Sequence, residues 1–294
     1  MLQSSWLIVQ AVCLELIPRP RIGRVPEPKL VMDSASGVAA FDSAGAIDGP
    51  SASLYLAIAA AVGPVIAGSR SVVDLGCGSG RLLLHLARLN PVARFTGVDL
   101  SEPMLSRGQV NAGQSHLDNV TFTNGDITDL KGFADDSVDA VISSLACHHL
   151  PDPASLDRAF SEMRRILKPD GKLFVFDLVR PKFQHTVDVY AALTRASDAE
   201  LLRDVKNSMR ASFSPQEVER SVEKHFGRSV QMVATRVFPL YWWVQSPPAQ
   251  NWRDTVAVDY LTQTEKDMSR HNRANYAALQ LLFRLSRIKP GFRS

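Results

Sequence analysis

The stretch Val72-Val73-Asp74-Leu75-Gly76-Cys77-Gly78-Ser79-Gly80-Arg81-Leu82-Leu83-Leu84-His85-Leu86-Ala87 decides the fold. A β-branched apolar pair runs into an acid, then into three glycines at alternate positions, then into apolar residues at helical spacing. That order reads as strand, tight turn and helix. Such a turn binds ligands, because glycine tolerates positive φ and lets a ligand lie against the backbone, while the free N–H groups of the following helix favour a negative charge. The spacing also excludes ligands. A dinucleotide fingerprint needs G-x-G-x-x-G, but the third glycine falls one position early, at Gly80, and Arg81 stands where glycine is required. A phosphate loop of the form G-x-x-x-x-G-K-[ST] is excluded because no Gly-Lys pair follows.

Downstream, strands and helices alternate as in a parallel sheet. Arg94 to Leu100 reads as a second strand, Val120 to Ile127 as a third, Ser137 to Ser144 as a fourth and Lys172 to Val179 as a fifth. Ser101-Glu102-Pro103-Met104 opens a helix with a serine N-cap and an early proline. Ala154 to Leu167 is helical and stops at Lys168-Pro169-Asp170-Gly171. Ala191 to Ala211 reads as a further helix, and Ser214-Pro215-Gln216-Glu217 as a capping signature that opens another, ending near Phe226. Val230 to Val237 and Leu240 to Gln245 then close the sheet. The expected fold is α/β, a doubly wound, mostly parallel seven-stranded sheet of Rossmann-like type. Residues 1–70 form an N-terminal arm and packing helix, 71–246 the core, and 247–294 a C-terminal helical extension.

In such a sheet ligands bind at the carboxyl ends of the strands, and the acids fall there: Asp74, Asp99 and Asp126 close strands one, two and three. Asp99, roughly 20 residues past the glycines, is placed to accept hydrogen bonds from a ribose diol. Asp74 either contacts the ligand or orients the turn by accepting backbone N–H groups.

The motifs in order resemble class I S-adenosylmethionine-dependent methyltransferases, the small-molecule branch similar to the ubiquinone and menaquinone type. They are Asp-Leu-Gly-Cys-Gly-Ser-Gly from Asp74; Gly97-Val98-Asp99-Leu100-Ser101-Glu102-Pro103-Met104-Leu105; Asn124-Gly125-Asp126; Asp139-Ala140-Val141; His148-His149-Leu150-Pro151-Asp152; and Arg165-Ile166-Leu167-Lys168-Pro169-Asp170-Gly171. Lys-Pro-Asp-Gly replaces the usual Lys-Pro-Gly-Gly, a change that turns tolerate. The resemblance implies S-adenosyl-L-methionine as cofactor and a binding set of Asp74, Gly76, Cys77, Gly78, Gly80, Asp99, Leu100, Met104, Asp126, Ile127 and Ser143. Gly76, Gly78 and Gly80 would line the methionine moiety, Asp99 would hold the ribose and Met104 would border the adenine. Asp126 would contact the adenine amine with Ile127 beside its ring, or else cap a turn, and Ser143 would close the pocket. Cys77 in a variable slot reads as a small filler.

His148 and His149 follow the fourth strand, where an acceptor meets the methyl group, and at most one of them serves as a general base. Methyl transfer also proceeds by alignment alone, so a base is not essential. Cys147 reads as inert. The loop Ser143-Ser144-Leu145-Ala146-Cys147-His148 lacks both the Asn/Asp-Pro-Pro-aromatic pattern of adenine and glutamine amino-methylating enzymes and the Pro-Cys of cytosine C5 enzymes. The expected partner is therefore a small-molecule acceptor and not a nucleic acid. Phe238, Tyr241, Trp242 and Trp243, with Phe183 and Tyr190, either wall an apolar acceptor pocket or form sheet core. Two rivals remain: a non-catalytic cofactor-binding scaffold, and a nicotinamide-dependent oxidoreductase, which the Arg81 position and the missing Tyr-x-x-x-Lys pattern oppose.

Composition agrees with a catalytic α/β domain. The 294 residues are 45% hydrophobic and 21% charged, with a net charge of +3 that forms no basic stripe. Cys13, Cys77 and Cys147 are odd in number and far apart, so neither a disulfide framework nor a metal is expected, and a reducing cytoplasmic location fits. Trp6 to Ile17 is too short an apolar run to span a bilayer. Met1 to Lys29 reads as a mobile arm, with a lid as the alternative and Phe41 and Tyr55 as substrate contacts. Ser53 to Ala67 should be a helix, as should Gln263 to Arg287, which packs on the body or mediates a homodimer.

Overall fold

Alternate residues of each strand feed two separate cores. Val72, Phe95, Ile142, Phe174, Phe176, Tyr241 and Trp243 enter one; Val73, Leu75, Val98, Val141, Leu173, Val175, Trp242 and Val244 enter the other. The computed structural model describes residues 2–29, 31–193, 199–235, 240–249 and 255–287. In chain order the elements are α1 (Leu2–Leu16), α2 (Ala35–Ala44), α3 (Ala52–Val62), β1 (Ser71–Leu75), α4 (Arg81–Leu89), β2 (Arg94–Asp99), α5 (Glu102–Gln114), β3 (Val120–Asn124) and β4 (Val138–Ser144). A 3₁₀ turn at Cys147–His149 leads to α6 (Pro153–Ile166), β5 (Leu167–Leu178), α7 (Gln184–Leu193), α8 (Ala199–Ala211), α9 (Pro215–His225), β6 (Gln231–Ala234), β7 (Tyr241–Gln245), α10 (Thr255–Asp267) and α11 (Arg270–Arg287).

The sheet is seven-stranded in the order β3-β2-β1-β4-β5-β7-β6. The first five strands pair in parallel, while β7 runs antiparallel to both β5 and β6. Strand order reverses between β1 and β4, which places a crevice at their carboxyl ends. Helices α3, α4 and α11 cover one face, and α6 and α9 the other. Leu82, Leu83, Leu86 and Leu89 of α4 are buried against the sheet, each contributing about 1.5–3 kcal/mol. Ser101, Asp152 and Ser214 cap α5, α6 and α9, and Ser214 with Glu217 completes the capping box expected from the sequence.

Several expectations need correction. Residues 2–16 form a helix, and the chain after it is bonded to the body through Ile22 N to Pro181 O (3.1 Å) and Val25 N to Arg210 O (3.2 Å). The anchor is Glu15, which is buried and accepts from Lys182 N (2.8 Å) and Thr186 Oγ1 (2.8 Å) at the start of α7. Ala35–Ala44 is a helix within a stretch whose small residues gave no periodic signal. Lys168-Pro169-Asp170-Gly171 lies inside β5 as an outward irregularity, since Val138 pairs with Leu167 but Ala140 already pairs with Lys172. The expected C-terminal helix is two helices, α10 and α11, and α11 packs on the body through Phe283 against Phe176 and Trp243. The helix expected from Ala191 is split between α7 and α8, with 194–198 outside the described residues. Tyr55 is core, as are Tyr241, Trp242 and Trp243. Phe183 lies under the Arg19 guanidinium at 4.5 Å, and Tyr190 bonds Tyr241 through their hydroxyls at 2.8 Å. Phe238 lies outside the described residues. Among the described residues no helix is long and apolar enough to cross a membrane.

Candidate functional site

The glycine turn folds over the end of β2. Gly76 N and Cys77 N both donate to Val98 O, at 2.7 and 3.1 Å, and Gly78 N donates to Asp99 Oδ2 at 2.8 Å. Gly76 has φ +73°, and a Cβ there would lie 2.3 Å from the Ala146 methyl, so only glycine permits β1 and the loop after β4 to approach. Asp99 Oδ1 accepts from Ser101 N (2.9 Å), which draws the carboxylate across the mouth of the turn. A carboxylate offers about four lone-pair positions, so two backbone bonds leave room for a ligand diol.

These residues line a cavity of about 230 Å³. Gly76, Gly78, Asp99, Leu100, Met104, Asp126 and Ile127 line it from the ends of β1, β2 and β3 and the segments after them, and Leu145, Ala146, His149, Leu150, Pro151 and Arg158 line it from the segment after β4. Asp126 Oδ1 accepts from Thr128 N and Thr128 Oγ1, both at 2.8 Å, so Asp126 does cap a turn while also facing the cavity. Asp74, Cys77, Gly80 and Ser143 lie outside this lining. Gly80 (φ +73°) is the N-cap of α4. The Ser143 hydroxyl is buried and donates to Leu75 O at 2.8 Å, which ties β4 to β1. Burial and the neighbouring Asp99 charge push the Asp74 carboxyl up to about 7. Burial, with the charges of Asp74 and Asp99, raises the Cys77 thiol, and burial with Asp177 raises Cys147, so both stay protonated.

The two histidines separate. His148 is buried and outside the cavity lining: its Nδ1 bonds Asp177 Oδ1 at 2.7 Å and its backbone N donates to Asp177 Oδ2 at 2.9 Å. Burial pulls its pKa down, but the carboxylates of Asp177 and Glu27 outweigh burial and raise it. His149 lines the cavity, with Nδ1 3.0 Å from Glu27 Oε2.

Three residues that shape the site carried no signal in the sequence. Arg24 binds carbonyls of the loop after β4: its guanidinium donates to Pro151 O (2.5 Å), His148 O (3.2 Å) and Leu150 O, while Nε donates to Ala211 O (2.6 Å). Glu27 sits against both histidines. Asp42 of α2 accepts from Arg81 Nε (2.7 Å), Arg107 Nε (2.6 Å) and Asn111 Nδ2 (2.7 Å). Burial raises the Asp42 carboxyl, but the bonds from Arg81, Asn111 and Arg107 prevail and hold it near about 2. That cluster clamps α2 over α4 and α5, and places Phe41 against Gly78.

Residues 72–171 match the family described as methyltransferase domain. This segment is a methyltransferase domain, carried on a seven-stranded sheet of order β3-β2-β1-β4-β5-β7-β6. The chain is 34% identical over 113 residues to a demethylmenaquinone methyltransferase from Desulfitobacterium hafniense, covering 38% of this chain and 43% of that protein. It is 28% identical over 202 residues to a ubiquinone biosynthesis O-methyltransferase from Albidiferax ferrireducens, covering 67% and 73%. The match therefore spans less than half of the first relative's length. An S-adenosylmethionine-dependent methyltransferase from Aquifex aeolicus shares the fold, with TM-score 0.51 and 18% identity over 73% of this chain and 98% of that one.

Proposed function

We propose that the protein transfers the methyl group of S-adenosylmethionine to an oxygen, nitrogen or carbon of a small-molecule acceptor. The observation that carries this reading is one continuous cavity with donor-type residues on one wall and His149, Leu150, Pro151 and Arg158 on the other. The named activities of the quinone-pathway relatives support a small acceptor. S-adenosylmethionine supplies an electrophilic methyl on a sulfonium. In this reading Asp99 holds the ribose diol, Leu100, Met104 and Ile127 border the adenine with Asp126 at its edge, and Gly76 and Gly78 admit the methionine end. Asp74, Cys77, Gly80 and Ser143 act one layer behind, shaping the turn and its tie to β4. His149 is the histidine placed to accept an acceptor proton, and His148 orients the loop through Asp177. Arg81, paired with Asp42, leaves no close glycine approach of the kind a dinucleotide site uses. Three free cysteines support a reducing, cytoplasmic location. Exposed Leu281 and Leu285 on α11 support self-association through that helix.

Calorimetric titration with S-adenosylhomocysteine and, separately, NADH tests the reading. The expected result is saturable binding of the first ligand alone, weakened roughly tenfold or more in Asp99→Ala through lost charge-assisted hydrogen bonds. Binding of NADH alone overturns it. Donor binding with no methyl transfer to any of a panel of phenols, amines and activated carbons favours the scaffold reading.

A further inference from the structure

We propose that Glu27, His148 and His149 hold a divalent first-row transition cation, with zinc as the type, at the edge of the cavity that His149 lines. One ligand atom from each of the three residues lies within 4.8 Å of the others. His149 Nδ1 is 3.0 Å from Glu27 Oε2 and His148 Nε2 is 3.8 Å from Glu27 Oε1. Metal–ligand bonds of about 2.0–2.2 Å require ligand atoms at about this spacing, so a small side-chain closure completes the triangle. Two imidazoles and a carboxylate suit zinc, iron and cobalt far better than magnesium or calcium.

The surroundings are organised as a metal site's are. Asp177 Oδ1 bonds His148 Nδ1 at 2.7 Å, which orients the ring with Nε2 toward Glu27. Both oxygens of Asp177 are engaged, since Oδ2 accepts from His148 N at 2.9 Å, so the ring has one orientation. Glu27 is fixed in turn by the Ser208 hydroxyl, which donates to Oε1 at 2.6 Å. The chain beside Glu27 is pinned by Arg24 and by Val25 N. Two carboxylates, Glu27 and Asp177, face His148, with the Arg24 guanidinium also near. His149 Nδ1 is buried and makes no aligned hydrogen bond within the protein, despite its closeness to Glu27. A cation satisfies that nitrogen and both partners at once.

The site as such does not depend on methyl transfer, but its role does. If the methyl-transfer reading holds, the cation takes the place of a His149 base: it binds an acceptor hydroxyl and lowers its pKa, and the proton leaves to water. The oxygen electron pair then forms the O–CH3 bond as the S–CH3 bond breaks with its pair on sulfur. The implied acceptor class is a hydroxylated small molecule.

The test titrates the chelator-treated full chain with cobalt(II) and with zinc(II) near neutral pH. Its readouts are visible cobalt absorption, metal retained per chain after gel filtration, and the thermal midpoint. Expected are one retained equivalent, cobalt bands of nitrogen and oxygen coordination, and a zinc-dependent rise in midpoint. Glu27→Gln and His149→Ala should each weaken metal binding more than roughly tenfold, and Asp177→Asn by roughly tenfold through loss of the orienting bond. S-adenosylhomocysteine titration of the same samples reports folding, and His149→Ala decides if Glu27→Gln does not fold. No retained metal in the unsubstituted chain, or unchanged affinity in the folded variants, overturns the proposal. Metal binding without S-adenosylhomocysteine binding leaves the site standing and removes the methyl-transfer reading instead.

Discussion

On the proposed reading, the donor wall of the cavity, from Gly76 to Thr128, takes its shape from bonds between adjacent strand ends, whereas the acceptor wall, from Leu145 to Arg158, is held by Arg24 and Glu27 from the far end of the chain. Gly78 reaches Asp99 across 21 positions, and Ser101 reaches Asp99 across two. Arg24 reaches the acceptor loop across 124 to 127 positions. A short closure is specified by the motif that makes it, while a long one depends on the whole sheet and on α7 and α8 standing in place first. The difference teaches why the donor wall reads as a family signature and the acceptor wall does not.

The largest expected effect breaks the comparison, because one part of the donor side also rests on a distant contact. Removing Asp42 leaves the Arg81 and Arg107 guanidiniums facing one another beside a buried site. Asp42→Ala should therefore cost about 3 kcal/mol in denaturant unfolding and weaken S-adenosylhomocysteine binding through loss of Phe41 from Gly78. An unchanged unfolding midpoint would show that α2 is held by packing alone.

A smaller effect sharpens the comparison. Arg24→Ala strips a donor from the carbonyls of His148, Leu150, Pro151 and Ala211, at a cost of about 2 kcal/mol. Steady-state kinetics should show KM for the acceptor rising several-fold, with S-adenosylhomocysteine affinity changed by less than about twofold. Equal loss on both would mean that the two walls are mechanically one.

The smallest effects are two opposed pH limbs. Asp74 titrates at about 7 in the folded chain, above its ordinary value of 3.8, so the folded state holds the extra proton and stability falls as pH rises between them. His85 is pulled down to about 4 from 6.5 by burial and by the charges of Arg88 and Arg81, and its Nδ1 meets the Tyr260 hydroxyl of α10 at 2.6 Å. Here the unfolded state holds the extra proton, so stability rises as pH climbs from 4 to 6.5. Thermal melts across this range should be nearly flat in the unsubstituted chain, rising in Asp74→Asn and falling in His85→Gln. Parallel curves in all three proteins would rule out both titrations as sources of pH dependence.

Much of the fold was readable because its signals are local. The strand–turn–helix at Val72, the caps at Ser101 and Ser214, and the acids at strand ends each occupy a few consecutive residues. Where the reading went astray, the deciding contact lay far away. Glu15 lies within the apolar run Trp6 to Ile17, yet it caps α7 and holds α1 on the body. Trp243 and Tyr241 looked equally suited to a pocket or a core, and only the seat of Phe283 against that face settles the choice. His148 and His149 are neighbours of one chemical type; the turn at Cys147–His149 sends one to Asp177 and the other to the cavity.

The sequence by itself determined the sheet and the class of domain, because strand periodicity and glycine conformational freedom act within a few positions of the chain. The tertiary structure alone decided that Arg24 and Glu27 hold the loop after β4, and that Asp42 locks α2 over the glycine turn. Those placements follow from charges meeting across separations that no local pattern encodes, and they exist only after the sheet has brought the ends of the chain together.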